Sequence, residues 1–203
     1  KLEARFEERP LPRVSIIDMR EQLKKGNRLA LSLELREDLS QCLKKGEQAM
    51  LFLNRRGYAG FVSCRSCGHV MKCPHCDVSL SEHNGRKLIC HYCGYETVKP
   101  DKCPVCSSPY IGGFKAGTQQ IQQVVEKEFP EARVLRMDYD TTRAKGSYEK
   151  ILSAFSRHEA DILIGTQMIV KGHDFPDVTL VGILAADLSL NADDYRSGER
   201  TFQ

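Results

Sequence analysis

Ala49-Met50-Leu51-Phe52-Leu53-Asn54-Arg55-Arg56-Gly57 is a continuous apolar run that stops in a polar, glycine-ended loop. A short run of this kind suits a strand buried on both faces of a parallel sheet. Downstream, Ile121, Val124, Val125 and Phe129 mark a helix, Val134 to Met137 a strand, and Tyr148, Ile151, Leu152 and Phe155 a second helix. Strands at Ile162 to Ile164 and Val178 to Ala186 follow. Upstream, Leu35, Leu39 and Leu43 recur at helical spacing between Ser32 and the glycine stop at Gly46. Helices alternating with strands predict an α/β fold, a parallel sheet with helices packed on it. Residues 1–27, charged and marked by Pro10 and Pro12, read as a lead-in with one candidate strand, Val14-Ser15-Ile16-Ile17.

Between that first strand and the next helix the composition changes. Eight of nine cysteines fall into four C-x-x-C pairs, Cys64/Cys67, Cys73/Cys76, Cys90/Cys93 and Cys103/Cys106. Two thiolates held by one tight turn can take adjacent corners of a tetrahedron, so four pairs make two four-cysteine sites, and zinc is the metal such sites suit best. Iron in a rubredoxin-like site is the other candidate for a sulfur tetrahedron. Paired spacing of this type, rather than scattered cysteines, points to a reducing cytoplasm and away from a secreted disulfide framework. A segment of roughly fifty residues is too small to hold itself together by apolar burial, so metal binding must supply its folding energy.

Pairing is open to two schemes. Consecutive joining links Cys64/Cys67 with Cys73/Cys76 across five residues; nesting places Cys73, Cys76, Cys90 and Cys93 on one ion and Cys64, Cys67, Cys103 and Cys106 on the other. The thirteen residues from Cys76 to Cys90 are long enough for a hairpin, with Leu88-Ile89 as a strand, and this favours nesting. Nested outer pairs would close the insertion where it leaves and rejoins the sheet. The predicted organisation is therefore a lead-in at 1–27, a sheet domain at 28–59 and 114–203, and an inserted zinc module at 60–113.

With 203 residues, 41% hydrophobic and 28% charged, the chain can bury a real core and is far from a disordered composition. No apolar run approaches the ~20 residues that cross a bilayer, so no membrane span is expected. The chain starts at Lys1 without a charged-then-apolar leader, as expected of a piece of a longer protein. Between Cys64 and Cys106, six basic and four acidic side chains, eight thiolates and two dications leave a charge of −2. That is no phosphate clamp. It suits a docking surface, with Tyr92 and Tyr95 beside Cys93 as candidate contacts. His69, His75 and His91 are surplus as ligands and read as loop surface, His173 carries no assigned chemistry, and Cys42 reads as a small buried hydrophobe.

Other stretches carry more specific information. Leu163-Ile164-Gly165-Thr166-Gln167-Met168, Lys171-Gly172-His173-Asp174-Phe175-Pro176 and Val178-Thr179-Leu180-Val181 together resemble motif V of superfamily 2 helicases. Phe52 to Tyr58 just before the cysteines and Gly117-Thr118-Gln119 just after them resemble the bacterial primosomal replication-restart helicases. So do Arg136-Met137-Asp138, Asp140-Thr141-Thr142 and Asp193-Asp194-Tyr195-Arg196-Ser197 with Glu199-Arg200. The resemblance covers nearly the whole chain. It implies a second RecA-like helicase lobe, truncated at its C-terminal end, with an inserted zinc-ribbon module of two four-cysteine sites. The parent would be an ATP-dependent, three-prime to five-prime DNA helicase that unwinds stalled or branched forks and promotes primosome assembly.

The resemblance also implies roles. Thr166 and Lys171 would touch a DNA phosphate, Gly172 and Asp174 would face the nucleotide, and Arg55 and Arg56 would reach DNA from the end of their strand. Two zinc ions belong to the chain, with ATP and Mg²⁺ in the parent. Expected partners are forked and single-stranded DNA, other primosome and restart proteins, and single-stranded-DNA-binding protein, in a bacterial cytoplasm in association with the nucleoid. There is no G-x-x-x-x-G-K-[ST] loop and no acidic run before the cysteines, so no catalytic residue is expected here and the chain alone should not hydrolyse ATP. A different class of function, a non-enzymatic zinc-ribbon docking module on a parallel-sheet scaffold, would give the motif V residues no reason to be present.

Overall fold

A computed structural model describes residues 11–54, 61–83, 86–114, 116–169, 174–188, 190, 196, 198 and 199. Arg55, Arg56, Lys171, Gly172 and His173, and most of the Asp193 to Arg200 stretch, lie outside the described residues.

Four strands, β1 (Gln48–Leu53), β7 (Val134–Met137), β8 (Ile162–Gly165) and β9 (Val178–Leu184), form a sheet of order β7-β8-β1-β9, and every pairing is parallel. Helix α2 (Leu33–Lys44) precedes β1, and α3 (Thr118–Glu128) and α4 (Ser147–Ser156) are the crossovers from β1 to β7 and from β7 to β8. Strand β8 is buried at every position, as its unbroken apolar run requires. On one face Leu39 and Cys42 of α2 and Ile121 and Val125 of α3 pack against Leu51, Ile162 and Ile164. A second cluster joins Phe155 of α4 to Met137, Leu163 and Ile169. Gln48 is a buried polar exception; its amide donates to the carbonyls of Phe155 (2.8 Å) and Ala160 (2.7 Å), tying the end of α4 to the start of β1.

The candidate strand Val14 to Ile17 does not form. Val14 and Ile16 are 79% and 95% exposed, and no strand pairs with them among the described residues. A four-residue run has no ladder without a neighbour, and Asp18 immediately starts a helix, α1 (Met19–Lys24), by accepting the N–H of Arg20 at 2.8 Å. Further along, Gln22 and Asn27 are the buried residues among the described part of the lead-in. Gln22 is buried, accepting the N–H of Leu33 (2.8 Å) and donating to Glu34, so α1 supports the first turn of α2 alongside the Ser32 cap.

The cysteine-rich segment sits between β1 and α3. Its entry and exit strands, β2 (Val62–Cys64) and β6 (Ile111–Gly113), pair antiparallel, while β3 (Ser81–His83), β4 (Lys87–Ile89) and β5 (Glu96–Val98) form a three-stranded sheet. A small core of Val62, Leu80, Leu88 and Ile111 with the buried cysteines fills the space between. Glu82 and Lys99, both largely buried, pair at 2.8 Å and join the two small sheets. No helix among the described residues is long and apolar enough to cross a membrane.

Candidate metal centres and nucleic-acid interface

Four copies of one backbone turn carry the cysteines. In each, the N–H of the residue four places after the first cysteine donates to that cysteine's carbonyl: Gly68 to Cys64, Asp77 to Cys73, Gly94 to Cys90 and Ser107 to Cys103, at 2.8–3.1 Å. The first cysteine's own N–H donates to the carbonyl five places on, at 2.8 Å in all four turns. The residue between these bonds is left-handed every time, with φ of +80° at Gly68, +54° at Asp77, +74° at Gly94 and +56° at Ser107. Glycine adopts that conformation freely, and Asp is among the side chains that tolerate it best. The turn aims both sulfurs of a C-x-x-C pair to one side.

The eight sulfurs gather into the nested sets, Cys64, Cys67, Cys103 and Cys106 in one and Cys73, Cys76, Cys90 and Cys93 in the other, each within 4.8 Å. Within each set, contacts between its two C-x-x-C pairs are 3.6 Å for Cys64 to Cys106, 3.7 Å for Cys67 to Cys103 and 3.6 Å for Cys73 to Cys93. Sulfurs at about 2.3 Å from a central zinc in a tetrahedron stand about 3.8 Å apart, so these distances fit a metal and are far too long for a disulfide. The donor set therefore fits two zinc ions.

Charge argues the same way. Burial pushes the Cys64 thiol up, but the backbone N–H groups of Cys67 and Ser66 outweigh it and bring it down to about 7. At Cys90 the N–H of Cys93 leads the same effect, again to about 7. Cys76 is driven up to about 12, first by its hydrogen bond to Cys93 and then by burial. At Cys106 the Ser108 N–H favours the thiolate, yet burial and the sulfurs of Cys67, Cys64 and Cys103 push it to about 12. Four neighbouring sulfurs cannot all ionise without a cation among them, and a dication removes that obstacle.

Cys42 stands apart, buried with its Sγ 3.7 Å from Thr179 Oγ1 and its thiol pushed up by burial, which suits an inert packing residue. The candidate aromatic pair separates. Tyr92 is 66% exposed, whereas Tyr95 packs against the zinc-module core with its ring edge-to-face on His75. His91 lies exposed in its turn, as expected of loop surface, with its Nε2 3.1 Å from Nε2 of His83.

At the sheet, the parallel arrangement brings the C-terminal ends of β7, β8 and β1 side by side, the end where α/β sheets bind ligands. Thr166 follows β8 directly, half-buried, and its carbonyl accepts the N–H of Ile169 at 3.1 Å to open a single 3-10 turn. Asp174 is exposed beyond it. At the end of β7 the fold adds Asp138, a residue that the sequence motif marked without assigning a role. Its carboxylate accepts the Thr118 hydroxyl from the start of α3 and the N–H of Thr141 at 3.0 Å. Burial pushes the Asp138 carboxyl up, but those bonds and Arg136 outweigh it and hold it below the ordinary range. Asp138 thereby fixes the turn after β7 to the first residue of α3, beside Thr166. Only the Asp138 to Thr141 spacing is local enough to be read in the sequence; the Thr118 bond spans twenty residues.

Residues 73–97 match the family model of the PriA DNA helicase Cys-rich region domain. Over all 203 residues the chain is 55% identical to the replication restart protein PriA of Bacillus subtilis, covering 25% of that protein. It is 51% identical to the PriA of Synechocystis, again over the whole chain and 25% of the relative. With the Chlamydia muridarum protein the identity is 42% over 94% of the chain and 26% of the relative. The chain spans about a quarter of the length of the curated relatives it matches.

Proposed function

We propose that this chain, similar from end to end to a quarter-length segment of replication restart protein PriA, supplies the second RecA-like lobe and zinc module of an ATP-dependent DNA helicase. In this reading the parent moves three-prime to five-prime, unwinds stalled or branched replication forks, and promotes assembly of the replication machinery on them in the bacterial cytoplasm. The observation that carries it is one juxtaposition: two four-cysteine clusters inserted between β1 and α3 of a parallel sheet whose β8 runs straight into Thr166.

Thr166 offers its hydroxyl to a backbone phosphate of the tracked strand, with Lys171, Arg55 and Arg56 adding charge. Gly172 and Asp174 face the nucleotide across the cleft to the first lobe, where ATP and Mg²⁺ are held by the parent's phosphate loop. The Asp138 turn keeps the start of α3 in register with that surface. Eight cysteines hold two zinc ions, which supply the folding energy of the module and no chemistry of their own. With its charge of −2, the module serves as a surface for other restart proteins, single-stranded-DNA-binding protein among the candidates, and Tyr92 is the contact its exposure favours.

The parent helicase carrying Thr166→Ala tests the reading, with forked DNA as substrate. Expected are intact zinc content, and DNA-stimulated ATP hydrolysis and unwinding reduced about tenfold, as for loss of one charge-assisted phosphate contact. Unchanged unwinding by a zinc-replete Thr166→Ala protein refutes the motif V assignment. This chain by itself is expected to show only background ATP hydrolysis with or without DNA.

A further inference from the structure

Among the described residues outside the two sulfur sets, a pair of histidines converges without a role in the reading above. His83 ends β3 and His91 lies in the turn between Cys90 and Cys93. Their rings meet edge to face at 5.1 Å and 70°, with the two Nε2 atoms 3.1 Å apart. Two imidazole nitrogens on one tetrahedral zinc, each at about 2.0–2.1 Å, stand about 3.3 Å apart. The Nε2–Nε2 separation is thus within a few tenths of an ångström of that in a chelate, and without an ion the same contact is a hydrogen bond from one imidazole N–H to the other ring's nitrogen.

Both ligands come from rigid elements. His83 is paired across the ladder with Lys87, and His91 belongs to a turn closed by the Gly94 N–H on Cys90 O at 3.0 Å. The nearest cation on the ladder is already balanced, since Lys87 Nζ sits 2.6 Å from Glu96. His91 is exposed and His83 half-exposed, which leaves the remaining coordination positions open to water. We infer that His83 and His91 form a third metal site, a two-histidine, water-completed site for a divalent zinc-like ion that is weaker and more readily exchanged than the two sulfur sites. When filled, the ion ties the turn carrying Tyr92 to the β3–β4 hairpin, so the exposed contact surface of the module is set by free metal as well as by the permanent ions.

The test uses the full chain with both sulfur sites already loaded, dialysed to equilibrium against rising free zinc. The wild type is expected to take up a third zinc, while His83→Gln and His91→Gln stop at two and His158→Gln, at a half-exposed histidine that the fold pairs with Asp177, still reaches three. In the wild type, where no variant fold is at issue, nitrogen NMR should show the Nε2 resonances of His83 and His91 moving together as the third equivalent binds. No third zinc at a hundredfold excess, a third zinc retained by both histidine variants, or Nε2 resonances that stay still would each overturn the assignment.

Discussion

Replacing Gly94 by alanine isolates the conformation on which all four cysteine turns depend. At φ +74°, Gly94 has no atom within 4 Å of where a Cβ would stand, so Gly94→Ala adds no clash and changes only backbone preference. Holding an L-residue in the left-handed region costs about 1–2 kcal/mol. Alanine also restricts the unfolded chain, returning about 0.4–1 kcal/mol, so the net loss is about 1 kcal/mol. Because folding of so small a module and metal binding are one equilibrium, that loss appears as an inner-site zinc affinity lowered about fivefold. Competition with a chromophoric chelator, following release of the two ions in turn, measures it. The outer site should keep its affinity, and Gly94→Asn should stay within about twofold of wild type, since Asn tolerates positive φ. Equal affinity for Gly94→Ala and wild type would show that the turn does not need the left-handed residue. An Asn variant as weak as the Ala variant would show that the loss comes from the added side chain rather than from backbone conformation.

Further outcomes follow from other positions. Gln48→Leu strands the carbonyls of Phe155 and Ala160, and urea unfolding should show a loss of about 2–4 kcal/mol, with zinc content unchanged. Gly165→Ala places a Cβ 2.5 Å from Ile169 Cγ2 and 2.7 Å from the Met137 carbonyl; a loss of about 1–3 kcal/mol is expected by the same assay, because the carbonyl cannot yield. Acidification should act in two stages. Protonation of the thiolates releases zinc first, read by metal content, and the sheet fails later. Asp161 contributes to that later stage: the Arg133 guanidinium holds its carboxyl below the usual range, so its stabilisation is complete above the unfolded value of about 3.9 and lost as pH falls through the lower folded value, and Asp161→Asn should flatten the slope there. Chelation of both zincs at neutral pH should unfold residues 62–113 while amide exchange in β1, β8 and β9 stays protected.

What the sequence disclosed and what it withheld divide along a physical line. Strands β1 and β8 are legible because burial on both faces demands unbroken apolar runs, and Leu39 with Cys42 on α2 is legible because a one-sided helix must repeat its apolar residues. The nested sulfur sets are legible because a thirteen-residue loop can turn back on itself, an argument from chain length alone. Val14 to Ile17 misled for the complementary reason: β-branched residues state a preference for extended backbone, but a strand is made by its neighbour, and no run of sequence names its own partner. The same limit hid the pairing of His83 with His91 and the Thr118 bond to Asp138, where the groups are eight and twenty residues apart and meet only through a hairpin and a crossover. One signal is local. The residue four places after each leading cysteine is Gly, Asp, Gly and Ser, two of the four being glycine, and that recurrence already states a demand for positive φ. Asp77 and Ser107 meet the demand with a Cβ in place, so the strain they carry is sustained by the metal-organised turn around them, and those two turns should be the first to relax when zinc is withdrawn.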